Sequence, residues 1–322
     1  MRPMTKAPGR FPAVLVIGWV ALSAAGLVFA RAKGIPLGAA LPVLAAFLIE
    51  FPFYLVTGFP AVRERLEGPG LPAILAGSMV LPYLACCCGA IPFHWMAVVR
   101  VAALGLAVGL WYRVLPVGRI VDLAFLALVA AAMLGRYFDP IYPRFYGQHL
   151  DALGAIGLVH AVVLALMLER RVPETGWGFW PSGREWWIGG LHYAGFVIVG
   201  TPLAIALKAI QWSPRPVDGW VVAATFFGFL WVSSLTDEFL FRGVIQRWAE
   251  DWTGSRMAAL VTASVIFGLA HLWFRGFPNW RWAPLATVLG LFCGHARNQA
   301  GSIRASAALH ALVVTTWRAF LA

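Results

Sequence analysis

Blocks of about 20 apolar residues recur along the whole chain, and about 20 residues of α-helix span a bilayer's hydrocarbon core. They lie near residues 11–30, 37–58, 71–88, 94–113, 117–134, 150–168, 186–207, 219–240, 256–273, 283–296 and 302–320. Backbone inside lipid must satisfy its own hydrogen bonds, so these blocks read as helices. A transmembrane barrel requires strict alternation of apolar and polar residues, and none appears. The expected fold is all-α, a polytopic transmembrane helix bundle of about eight to eleven membrane segments. The third and tenth blocks are short or interrupted, which makes them candidates for re-entrant segments. The first block follows Arg2, Lys6 and Arg10 and is long for a signal peptide. With so many spans after it, a retained first helix is expected.

Composition excludes the soluble alternatives. The chain is 61% hydrophobic and 12% charged, whereas a soluble domain is nearer half apolar and a quarter charged. The net charge of +11 sits mainly in short loops between apolar blocks. That is a topology and headgroup signal rather than a nucleic-acid one. With the N-terminus inside, the inner loops collect the larger share of Lys and Arg. Cys86, Cys87, Cys88 and Cys293 have spacings that match no disulfide framework or zinc module. They read as small helix-packing residues.

Two regions differ in character, with the boundary at 172/173. Residues 1–172 are rich in Ala, Leu, Val and Gly, and nearly free of polar clusters. Residues 173–322 open with the Trp- and Gly-rich stretch from Gly176 to Pro181, followed by Trp186 and Trp187. Such aromatics suit the headgroup level, and an interfacial helix or hairpin is expected there.

An ionisable residue inside a membrane is a functional candidate by default. Glu50 and Asp122 each stand alone in sequence; Asp122 follows Arg119, and both residues take a structural reading. Asp237 and Glu238 are adjacent, with Arg242 four residues beyond Glu238. On a helix Glu238 and Arg242 share a face, while Asp237 points about 100° away. One carboxylate is then neutralised and the other left for chemistry. The competing reading is a helix-end ion pair with Arg247, Glu250 and Asp251 as solvated neighbours. His271 and His310 lie in two further apolar helices. A carboxylate with a histidine can deprotonate a water, and a second histidine can stabilise the oxyanion of a hydrolysed carbonyl. His94, His149, His160, His192 and His295 lack such company and read as interfacial or packing residues.

These residues resemble the CPBP intramembrane proteases, the group of CAAX-processing endopeptidases and bacterial Abi-type proteins. The family pattern is Glu-Glu-x-x-x-Arg, Phe-x-x-x-His and His-x-x-x-Asn on successive helices. Here it reads Asp237-Glu238 to Arg242 followed by Gly243, then Phe267 to His271, then His310 preceded by Gly301-Ser302-Ile303. The resemblance covers about 176–318. Two positions depart from it. Asp237 replaces the Glu that activates water, one methylene shorter but chemically competent; alternatively Glu238 takes over, or the site is weakened. Val314 replaces the Asn and cannot donate a hydrogen bond; Thr315 and Thr316 are the nearest substitutes.

The resemblance implies a glutamic-type intramembrane endopeptidase in a multi-pass membrane, the bacterial cytoplasmic membrane being the expected one. Asp237, with or without Glu238, and His271 activate the water, and His310 stabilises the oxyanion. Arg242 fixes the acidic pair. Phe267 supports the helix carrying His271, and Thr315 is a supporting candidate. No cofactor is expected; Zn²⁺ held by the histidines and carboxylates is the competing reading, although no His-Glu-x-x-His helix is present. The expected partners are the lipid bilayer and a membrane-anchored protein or peptide substrate, with no nucleic acid. A catalytically silent scaffold of the same fold is the alternative from another class. An ion- or proton-coupled transporter is the third, though no inverted repeat is visible.

Overall fold

The computed structural model describes residues 9–173, 175–210 and 217–320. Among these residues there is no β-strand, and every one of the eleven apolar blocks is helical. The helices are α1 (Phe11–Ala32), α2 (Leu37–Val56), α3 (Leu71–Cys87), α4 (Trp95–Val114), α5 (Arg119–Leu134) and α6 (Asp151–Glu169). They continue with α7 (Gly183–Ala206), α8 (Gly219–Thr253), α9 (Arg256–Trp273), α10 (Trp282–Ala300) and α11 (Ile303–Phe320).

Seven of them, α1, α2, α4, α6, α7, α8 and α9, are both long and apolar enough to cross a bilayer. An eighth span is added if the short helix Pro60–Leu66 and α3 count together; they meet at a 106° bend. The sequence range of about eight to eleven therefore meets the structure at its lower edge. The reasons are local. α5 has only 16 residues. α10 and α11 carry histidines and arginines that lower their hydropathy. The chain is an integral, multi-pass membrane protein.

Two compact units divide the chain, Met1–Arg171 and Val172–Ala322. In the first, α3 and α4 approach backbone to backbone. A Cβ at Gly105 would lie 2.7 Å from the Ala76 Cα, and one at Gly109 2.7 Å from the Pro72 Cα. Small residues allow this, and close packing is what holds helices together where both lipid and side chain are apolar.

The polar residues of this unit are less solitary than their sequence positions suggest. Glu50 on α2 lies 2.5 Å from His160 Nδ1 on α6. His160 Nε2 is 2.7 Å from Ser78 Oγ on α3, and Ser78 also donates to the Leu75 carbonyl at 2.8 Å. All three side chains are buried. The readings of Glu50 as single and of His160 as without polar company are both corrected, because the partners lie on helices distant in sequence. Asp122, in the first turn of α5, is likewise not alone: Arg170 donates to both its oxygens at 2.8 and 2.9 Å. Its structural role stands.

In the second unit, residues 175–181 form no helix, which overturns the expected interfacial helix or hairpin. Gly176 adopts φ +65° and its Cα sits so close to Ser302 that any Cβ would collide with it. The Thr175 carbonyl accepts from the Ile303 amide, which ties this segment to the start of α11. Ser182 then opens α7 with a reciprocal capping box, its hydroxyl accepting from the Glu185 amide and Glu185 accepting from the Ser182 amide. Arg304 closes the arrangement on Glu185 at 2.9 Å. From this anchored start, α7 packs on α10 and α11, α10 on α9, and α11 on α8. At the α9–α10 contact a Cβ at Gly290 would lie 2.9 Å from the Ser264 Cα and 3.2 Å from Arg242 Nη2. Glycine thus leaves room for a guanidinium between helices.

Candidate active site

Helix α8 does not run as a plain α-helix. Residues Phe229–Ser234 and Phe239–Ile245 are π-helical, and only the turn Leu235–Glu238 between them is α-helical. π segments widen the helix and shift the angular position of every later side chain, and they are frequent at functional sites. The Asp237-Glu238 pair sits between two of them.

The two carboxylates face different surroundings. Glu238 is fully buried. Its Oε2 lies 3.2 Å from Arg242 Nε, and its Oε1 accepts from His310 Nδ1 at 3.0 Å. Asp237 lines a cavity of about 290 Å³ within the second unit, together with His271 and His310. Ser233, one turn earlier, donates to Asp237 Oδ2 at 3.3 Å. The pairing of Glu238 with Arg242 read from their spacing is present, and Asp237 is the carboxylate at the cavity. Arg247, Glu250 and Asp251 form their own surface pairs. Arg247 meets Asp251 at 3.3 Å, and Glu250 meets Arg256 at 3.0 Å and Arg297 at 3.6 Å.

Phe267 is the packing centre of the site. Its ring stands edge-on to His271 at 4.6 Å, to His310 at 5.6 Å and to Phe241 at 4.9 Å between centroids. The Arg242 guanidinium lies over the same ring at 4.3 Å. Aromatic faces attract cations and orient neighbouring rings edge-on. One side chain thereby fixes both histidines and the arginine.

Hydrogen bonds also assign the histidine nitrogens. His271 Nδ1 is 2.8 Å from the Phe267 carbonyl. A carbonyl only accepts, so the proton is on Nδ1, and Nε2 of the neutral ring is an acceptor. His310 donates Nδ1–H to Glu238. With that proton on Nδ1, Nε2 carries one only in the imidazolium.

The remaining sequence candidates divide. Val314 lines the cavity, at the position where the family pattern has Asn. Thr316 also lines it and exchanges a hydrogen bond with Tyr193 at 2.7 Å. Thr315 is buried and is not among the lining residues. The helix turns 100° per residue, so Thr315 and Thr316 cannot both follow Val314 into the cavity. Tyr193 was not singled out in the sequence; only its position on an apolar helix beside α11 reveals it. His192 and His295 are corrected as well: His192 Nε2 accepts from His295 Nδ1 at 2.8 Å, its own Nδ1 donating to the Ile188 carbonyl. Among the described residues, no group of three or more His, Cys, Asp or Glu side chains gathers as metal ligands would.

The comparison with known families bears on this same segment. A family model, type II CAAX prenyl endopeptidase Rce1-like, matches residues 218–316. The match runs from the start of α8 almost to the end of α11, so it contains Asp237, Glu238, Arg242, His271 and His310. Within the second unit, residues 218–316 are similar to the Rce1-like peptidases. No curated protein and no solved structure matches the chain. The Rce1-like segment makes the chain a CAAX-type intramembrane protease in the general sense, an enzyme that hydrolyses peptide bonds at a membrane.

Proposed function

We propose that the second unit is a glutamic-type intramembrane endopeptidase that cleaves a membrane-delivered protein or peptide without a metal ion. The observation that carries this reading is the division of labour on α8. Asp237 opens on the cavity with His271 and His310, while Glu238 sits behind them, bound to His310 and Arg242.

In this mechanism a water is held between the Asp237 carboxylate and His271 Nε2. Asp237 takes its proton as the oxygen attacks the scissile carbonyl carbon. The carbonyl oxygen becomes an oxyanion and accepts from His310 Nε2–H of the imidazolium. The tetrahedral intermediate then collapses. The C–N bond breaks, and the proton stored on Asp237 passes to the leaving nitrogen. Glu238 and Arg242 do not contact substrate. They hold His310 in orientation and balance its charge.

A farnesylated peptide with a fluorophore and quencher flanking the cleavage region, delivered in proteoliposomes, is the assay. The His310→Ala variant is expected to lose about 10²–10³ in kcat, the usual worth of one oxyanion donor. Chelation with 1,10-phenanthroline is expected to leave the rate unchanged; loss restored by Zn²⁺ would move the proposal to the metal reading. The resemblance to the Abi-type branch supports the bacterial cytoplasmic membrane as the location.

Val314 favours a second reading, a catalytically silent scaffold of the same fold. The Val314→Asn variant separates the two, since Val314 faces the cavity. If the wild type is active, restoring the donor is expected to raise kcat by up to about 10²-fold. An inert wild type that gains hydrolysis as Val314→Asn would establish the scaffold reading. Hydrolysis by neither would remove the peptidase proposal for this chain.

A further inference from the structure

The arginines of the second unit differ between its two ends. Where α8 and α10 finish, Arg247, Arg256, Arg297 and Arg304 each meet a carboxylate. Where α9 and α11 finish, Arg275, Arg281 and Arg318 have no carboxylate within ion-pair distance among the described residues, and no Asp or Glu occurs in 272–282 or 303–320. Helix ends do not balance these charges. The C-termini of α9 and α11 and the N-terminus of α10 sum to about half a negative charge, against three cations.

Aromatic rings hold two of these guanidiniums instead. Arg275 lies over Trp317 at 4.9 Å and over Phe274 at 5.7 Å, and Arg318 lies over Phe229 at 4.8 Å. Phe274 at 5.9 Å and Trp282 at 4.9 Å brace the Trp317 ring in turn. A guanidinium stacked on a ring is held in place, and its N–H fork stays open to an anion. The loop that carries Arg275 is fixed as well. Asn279 donates its side-chain amide to the Phe274 carbonyl at 2.9 Å and its backbone amide to the Leu272 carbonyl at 2.8 Å.

The same loop turns Trp273, Phe277 and Trp280 outward. In a multi-pass membrane protein, outward tryptophans sit at the headgroup level. A ligand that meets the arginines there and also covers these rings has an anionic head and hydrocarbon chains.

We propose that Arg275 and Arg318 form a seat for an anionic phospholipid of the surrounding bilayer. Its phosphodiester is received by the two guanidiniums, Arg281 adds to the field, and its acyl chains lie along Trp273, Phe277 and Trp280. Lipid binding here is independent of whether the cavity hydrolyses peptides.

The test is the unfolding midpoint of the full chain in dodecyl maltoside, titrated separately with phosphatidylglycerol, phosphatidylcholine and inorganic phosphate. A ligand that binds the folded state raises the midpoint according to its affinity. Phosphatidylglycerol is expected to act at about 30-fold lower concentration than phosphatidylcholine, as two arginines at a membrane surface provide. Arg275→Gln combined with Arg318→Gln is expected to bring that ratio close to one while keeping the phosphatidylcholine response, which reports a folded protein. Arg275→Lys with Arg318→Lys should keep part of the preference, because the charge remains and the planar fork is lost. Arg256→Gln removes the same charge at the opposite end and should leave the ratio unchanged. Equal action of the two lipids on the wild type overturns the proposal, as does an unchanged ratio in the double glutamine variant. An equal loss in Arg256→Gln would show diffuse attraction to net charge and overturn the seat. Stabilisation by inorganic phosphate as strong as that by phosphatidylglycerol would make this a free-phosphate site and overturn the lipid assignment.

Discussion

Replacing His271 by alanine is expected to lower peptide hydrolysis by about 10²–10⁴-fold, the range that one positioned acid–base group supplies. The ring's Nδ1–H is committed to the Phe267 carbonyl at 2.8 Å. The nitrogen left at the cavity is an acceptor, which can hold a water but cannot donate to an oxyanion. His271 and His310 are therefore not interchangeable in this site, although both are cavity-lining histidines against the same phenylalanine. Asp237→Asn is expected to cost as much, because it removes the carboxylate that receives the water's proton. The double variant should be little worse than either single one, since groups acting on one water are not additive. The measurement is kcat in proteoliposomes at matched protein content, with detergent-solubilised thermal unfolding as the control for folding. Wild-type turnover in both single variants would sink the assignment.

A different loss is expected in the first unit. Glu50→Ala or His160→Ala should each destabilise the protein by about 3–5 kcal/mol, because each leaves a buried partner uncompensated. The pair is at 2.5 Å, both side chains are buried, and Phe53 stacks on the imidazole at 5.8 Å between centroids with an interplanar angle of 19°. Buried at this depth, a lone carboxylate is out of reach of bulk solvent. Exchanging both together, as Glu50→Met with His160→Leu, is expected to recover most of the loss. Apolar groups of similar volume often replace a buried ion pair at no net cost. Ser78 keeps its bond to the Leu75 carbonyl in either case. The check is the unfolding midpoint in a fixed detergent for the three variants. Additive losses, with the double variant the least stable, would show that the contact has no such energetic coupling.

The two predictions divide along the line between sequence and tertiary structure. Length and periodicity of the apolar blocks determined the helices, because a bilayer leaves the backbone no alternative to local hydrogen bonding. All eleven blocks are helices for that reason. The spacing of Glu238 and Arg242 was legible for the same reason, since an i, i+4 contact lies within one helix. So were the motif residues that fall in the Rce1-like segment.

Contacts between helices were not legible. Glu50 and His160 are 110 positions apart, and no periodicity connects them. The π segments of α8 were hidden as well, because no residue pattern in the chain marks them. Thr175, Gly176 and Ser302 hold the start of α11 through a backbone contact that leaves no pattern in the chain.

The sequence by itself made this protein a bundle of membrane helices and named five polar residues that do not belong in lipid. Tertiary structure alone decided which carboxylate faces the cavity. Asp237 and Glu238 are neighbours with nearly the same chemistry. They are separated by which side of α8 the packing of α9, α10 and α11 leaves open. Helix formation is a local matter of backbone hydrogen bonds, whereas a cavity exists only where side chains from several helices fail to fill the space between them.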